Sequence, residues 1–189
     1  MAQITEKEIK EAAQKFLNGS TIKELKGITN DEMEAVYSLA FNYYRTGKFD
    51  EAEKLFNFLA LFDHLNQKFW MGVGAVRQVK KDFSGAVQAY GYASFLDLAN
   101  PKPQLHAAEC FLAMGDKRNA ASSLEALDKF CPKDTEVGRE YRAKAAELRK
   151  GVGEEAFAAR AKEEEKTEEK AEPFRWLTCR QGERARRRS

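Results

Sequence analysis

The chain has 189 residues, 43% of them hydrophobic and 33% charged, with 32 Lys and Arg against 30 Asp and Glu for a net charge of +2, as in one ordinary globular domain with a charged excess. No run of eighteen or more apolar residues occurs and MAQITEKEIK lacks the basic-then-apolar order of a secretory signal, so neither a membrane span nor classical export is indicated and a cytoplasmic location is expected. Cys110, Cys131 and Cys179 are an odd, scattered set rather than a disulfide framework, and four prolines and twelve glycines amid abundant Ala, Glu, Lys and Leu favour an all-α fold.

At the N-terminus, a Thr5-x-x-Glu8 capping box precedes Ile9, Ala12, Ala13, Phe16 and Leu17 at helical spacing, which predicts an amphipathic helix within an arm over residues 1–30. Its apolar stripe must be covered by the rest of the chain or by a second subunit, so Ile9, Phe16 and Leu17 are the expected dimerisation residues.

A second capping box, Thr29-x-x-Glu32, opens a region of self-similarity. Gly47, Lys81 and Gly115 recur at a spacing of 34 residues. With repeats at 33–66, 67–100 and 101–134, the twentieth position is Ala52, Ala86 and Ala120, and the twenty-fourth is Phe56, Tyr90 and Leu124. Small residues where two helices cross and large ones beside them are the size pattern of the tetratricopeptide repeat. Gly47 and Gly115 suit a left-handed turn between paired helices, Pro101 a first helical position, and Pro132 a helix stop. The third repeat is weakest, with Gln104 where the others carry Val36 and Trp70, and Lys117 where they carry Phe49 and Phe83.

Val137, Tyr141, Ala145 and Leu148 then form a stripe on a helix that caps the open end of the stack, completing a repeat domain over 31–153. Beyond it, residues 154–172 hold 4 basic and 8 acidic residues and residues 173–189 hold 6 basic and 1 acidic. A segment such as AKEEEKTEEKAE has no apolar face to bury, so 154–189 is expected to be a charged, disordered tail.

Three helical hairpins with a concave inner surface bind extended peptides rather than catalyse reactions. The inner-surface positions read Glu34, Tyr37, Phe41 and Tyr44, then Lys68, Met71, Ala75 and Gln78, then Lys102, Leu105, Glu109 and Leu112. Val36, Leu39, Ala40 and Tyr43 are assigned to the packing face of the first repeat helix, which leaves its aromatic stripe free for a ligand.

The segments GSTIKELKGI, AVYSLAFNYYRTGKFDEAEKLF, FLALFDHLNQKFWMGVGAVRQ and HAAECFLAMGD resemble the class II chaperones of bacterial type III secretion, over roughly residues 9–150. The resemblance implies a cytosolic, non-enzymatic chaperone that holds pore-forming translocator proteins through an extended Pro-x-Leu-x-x-Pro-like segment. It implies pocket-lining roles for Tyr37, Phe41 and Tyr44, a groove continued by Met71 and Leu105, and homodimers formed through the N-terminal helices.

Other chemistry has little in the sequence to stand on. His106 and Cys110 sit four apart on one helix, but two residues do not make a tetrahedral metal shell, and neither His106 nor His64 with Cys110 has the third group of a nucleophilic site. They are assigned to packing. No Walker loop or dinucleotide turn is present, since Gly72-Val73-Gly74 falls inside a repeat helix at its close-packing position. No catalytic, metal or cofactor site is expected. The competing readings are a generic tetratricopeptide scaffold, and a nucleic-acid or acidic-surface binder acting through Arg184, Arg186, Arg187 and Arg188 with Trp176 stacking; the groove lacks matching basicity, so nucleic acid is not the expected partner.

Overall fold

The computed structural model describes residues 14–15 and 17–162, and among these the structure is helical. Helix α1 (Ile22–Lys26) is opened by a complete capping box between Thr21 and Glu24 and closed by Gly27 in the left-handed conformation. The Lys23 ammonium lies 2.7 Å from Asp63 Oδ2 and 2.9 Å from Asn30 Oδ1, which fastens the arm to the first hairpin. Ile9 and Phe16 lie outside the described residues, as does the Thr5 box; Leu17 is described and is 78% exposed.

Three hairpins follow: α2 (Asn30–Arg45) with α3 (Phe49–Phe62), α4 (Gln67–Val79) with α5 (Phe83–Leu96), and α6 (Pro101–Ala113) with α7 (Lys117–Phe130). The 34-residue period extends to the caps. Asn66 and Asn100 each accept a backbone N–H at the start of α4 and α6, and Asp82 and Asp116 do the same for α5 and α7. Between paired helices Gly47, Lys81 and Gly115 all adopt left-handed conformations, at φ 77°, 66° and 78°, so the second repeat makes with a lysine the turn that the others make with glycine.

Packing follows the repeat pattern. Ala52, Ala86 and Ala120 are fully buried at the crossings, with Phe56, Tyr90 and Leu124 buried beside them. Gly72 and Gly74 belong to the same scheme, because a Cβ on either would run into the ring of Phe56 or of Tyr90. Trp70 donates its indole N–H to the His64 carbonyl at 2.8 Å, and the polar replacement Gln104 donates to Ser94 Oγ at 2.6 Å. Leu39 departs from its expected place, since it is exposed while its neighbour Ala40 is buried.

Helix α8 (Glu136–Val152) packs on α6 and α7 and closes the core with Ala145, Val152, Tyr141 and Leu148, whereas Val137 is left exposed. The ordered part does not stop at 153. Gly153 turns the chain at φ 84° and residues 154–162 are again helical. Ala156 and Phe157 pack against the C-terminal core, Arg149 stands over the Phe157 ring, and Arg160 Nε meets Glu125 Oε2 at 2.9 Å. The expected tail boundary is therefore corrected: the apolar pair in EEAFAAR is enough to dock a short helix before the charge run begins. Residues 163–189 lie outside the described residues.

Candidate functional site

The inner helices α2, α4 and α6 line a groove made of two adjoining chambers that share Tyr44, Met71 and Ala75. The first has a volume of about 350 Å³, within the ~300–1,000 Å³ range of ligand clefts. Its wall is an aromatic ladder on α2. Tyr37 and Phe41 stack in parallel with centroids 6.3 Å apart, Phe56 and Phe69 support Tyr37 from behind at 5.8 and 6.1 Å, and Phe49 meets Tyr44 edge-on at 5.9 Å. Phe41 remains 45% exposed toward the opening. At the rim, the Lys68 ammonium sits 3.7 Å from the Tyr37 ring centre and pairs with Glu34 at 2.7 Å, which holds the ring in place without filling the chamber.

The second chamber, of about 570 Å³, is polar on one side. Tyr90 donates its hydroxyl to Gln78 Oε1 at 2.7 Å, Gln78 donates its amide to Glu109 Oε2 at 3.0 Å, and His106 Nδ1 lies 3.0 Å from the same carboxylate oxygen. An ionised carboxylate only accepts, so Nδ1 carries the proton in this pair. The His106 hydrogen bond, with a further contribution from Gln78, holds the Glu109 carboxyl below its ordinary range against the opposing effect of burial. Burial also pushes the Tyr90 phenol upward, which keeps it a donor.

Of the five residues expected to bind peptide, Tyr37, Phe41, Tyr44 and Met71 line the first chamber. Leu105 does not. It is 3% exposed and belongs to the core cluster closed by α8, because the capping helix covers the side of α6 that an open groove would present. The third repeat contributes His106 and Glu109 instead. The repeat register places Gln78 and Glu109 on the inner surface; it carries no signal for His106, one position beyond Leu105, or for Tyr90, whose ring fills a crossing while its hydroxyl reaches the groove. Cys110 is buried, its thiol pushed up to about 11 by desolvation and by the nearby Glu109 charge, and His106 is engaged with Glu109. Among the described residues no group of three or more His, Cys, Asp and Glu could hold a metal, and no helix is long and apolar enough to cross a membrane.

Comparison with known proteins agrees with this architecture. The tetratricopeptide repeat family matches residues 33–66 and 68–100, the two hairpins with the stronger pattern. Low calcium response locus protein H of Yersinia pestis is 38% identical over 126 residues, covering 66% of this chain and 75% of that protein. The crystal structure of the Yersinia enterocolitica type III secretion chaperone SycD in complex with a peptide of the translocator YopD is similar with a TM-score of 0.61 at 33% identity, over 66% of this chain and 95% of that one. An alternative dimer of the SycD translocator chaperone is similar with a TM-score of 0.61 at 32% identity, over 66% of this chain and 94% of that one.

Proposed function

This chain belongs to the tetratricopeptide-repeat translocator chaperones of bacterial type III secretion, and on that premise we propose that it holds an extended apolar segment of a secreted, pore-forming translocator in its concave groove. The observation that carries this reading is the aromatic chamber of Tyr37, Phe41, Tyr44 and Met71, open to solvent on the inner face of a stack whose own core is filled by other residues. Apolar anchors of an extended peptide gain by leaving water there, and the tyrosines offer contact area at low rotamer cost. The client is one that inserts into membranes. Binding its apolar segment lowers the free concentration by mass action, so the client stays soluble and competent for export with no enzymatic step and no nucleotide. A cytoplasmic site of action follows, because sequestration is useful only before export.

Self-association belongs to the same proposal. Leu17, at the end of the Ile9 and Phe16 stripe, is 78% exposed. On the outer face Leu61 and Phe95, 34 residues apart and therefore at one repeat position, are 62% and 77% exposed. A second copy would cover such area. Sedimentation of the intact protein at tens of micromolar, about the range that reveals a weak to moderate interface, tests this: a monomer at that concentration refutes it.

The functional reading is tested by co-expression with the translocators of the same secretion system. A translocator that is insoluble alone is expected to become soluble and co-purify. Failure of every such translocator to do so, with the chaperone itself folded, sinks the reading.

A further inference from the structure

The second chamber contains one carboxylate among its lining residues, Glu109, set beside the aromatic first chamber, whose lining holds Lys68 and Lys102 but no carboxylate. Its side chain is 35% exposed, so a peptide lying across the groove covers it. Both described hydrogen bonds, from Gln78 and from His106, fall on Oε2, and Oε1 carries neither. The carboxylate is fixed from behind by a chain of bonds running back to the buried Tyr90 and by the stacking of Tyr90 on His106 at 5.4 Å.

An acceptor held in this way has an unequal effect on ligands. Covering it with an apolar residue removes the remaining water from an anion and supplies nothing in return, which disfavours the complex. Covering it with an N–H donor replaces water by a charge-assisted hydrogen bond. The chamber thus discriminates by penalty against ligands that are apolar throughout.

Resting on the chaperone reading, we propose that Glu109, positioned by Gln78 and His106, is a specificity-determining acceptor that selects client segments carrying an N–H-donor side chain, lysine, arginine or a carboxamide, next to the apolar anchors. The chambers adjoin through Tyr44, Met71 and Ala75, so one continuous peptide occupies both. From Met71 to Gln78 along α4 is seven residues, about 10 Å at ~1.5 Å per residue, which an extended strand covers in about three residues. The donor therefore stands about three positions from the anchor seated on Met71. The charge of Glu109 itself disfavours a second acidic group there, against the attraction of Lys81 at the chamber's edge and of Lys144, whose charge reaches Glu109.

The test uses fluorescein-labelled Pro-x-Leu-x-x-Pro peptides with Arg, Gln, Leu or Glu placed in turn at the positions flanking the apolar core, titrated with the full chain by anisotropy. Arg and Gln peptides are expected to bind at least about tenfold more tightly than the Leu and Glu peptides at one flanking position. Glu109→Leu is expected to erase that preference and tighten the Leu peptide, and Gln78→Leu, which loosens the carboxylate without removing it, to reduce the preference while leaving its order. The arms also separate the donors: Arg above Gln assigns the site to a cation, equal affinity to any N–H. Measurable binding with no dependence on the flanking residue, or a preference that survives in folded Glu109→Leu, overturns the proposal alone. No binding of any peptide overturns the chaperone reading and this proposal together.

Discussion

The ring of Phe56 lies in the space that a Cβ on Gly72 would need. Phe56 is both a core residue of the first hairpin and part of the lining of the first chamber, so the glycine sets the depth of the groove. Gly72→Ala gains about 1 kcal/mol of helix propensity, but overfilling a packed site costs about 1 to 3 kcal/mol. The variant is expected to melt below the wild type and to bind client peptide more weakly, as read by calorimetry and anisotropy. A higher melting temperature with unchanged affinity would show that the ring moves aside freely.

Lys81 carries the opposite problem. It sits at φ 66° where the equivalent positions hold Gly47 and Gly115. The left-handed conformation costs a side-chain-bearing residue about 1 to 2 kcal/mol, of which glycine returns part through its greater unfolded-state freedom. Lys81→Gly is expected to stabilise the chain by about 0.5 to 1 kcal/mol, seen as a higher urea midpoint at unchanged slope.

Phe41 and Tyr44 differ in how much they support the fold. Phe41 is exposed, so Phe41→Ala is expected to weaken peptide binding by about 1 to 4 kcal/mol with little change in melting temperature. Tyr44 is half-buried against Phe49, so Tyr44→Ala is expected to lose both affinity and stability. Lowered stability with unchanged affinity for both variants would place the two rings in the core.

The Glu109 carboxyl is held below its ordinary value of 4.5, first by the hydrogen bond to His106. A group depressed on folding adds stability that is fully present above its unfolded value and is lost as pH falls through its folded one. The unfolding free energy of the wild type is therefore expected to fall more steeply than that of Glu109→Gln below pH 4.5. Asp50, Glu53 and Asp116 are lowered in both proteins, by Lys80 for the first two and by the Asn119 backbone N–H for the third, so the difference between the curves isolates Glu109.

Ending the chain at Gly153 removes Phe157 and the Arg160 to Glu125 pair from the C-terminal core. Partial burial of one aromatic ring is worth about 1 to 2 kcal/mol. A chain ending at 153 is expected to melt several degrees below the full-length protein, and one ending at 162 to match it. Equal melting of both would show that the 154–162 helix contributes nothing.

The repeat and its period were legible because they are written in residue size: Ala52, Ala86 and Ala120 leave no other arrangement at their crossings. The aromatic chamber was legible for the same reason, since register alone places Tyr37, Phe41 and Tyr44 on the inner face. Leu105 was misplaced because register treats every repeat as if another followed it, whereas α8 covers this one. The docked helix after Gly153 was hidden by composition, in which one phenylalanine is outweighed by the charges around it. Tyr90 was half legible: its size marks a crossing, but nothing in the spacing shows where the hydroxyl goes.

Every residue that lines the aromatic chamber precedes position 103, and the carboxylate chamber takes His106 and Glu109 from the third hairpin. Because each helix packs chiefly on its neighbours in sequence, little of the earlier part waits for the later. During synthesis the grip on apolar anchors can therefore mature first, and discrimination among them is added only when the last hairpin and its cap arrive. On the proposed role of Glu109, nascent and finished chains are expected to differ in selectivity, a coarse one followed by a finer one.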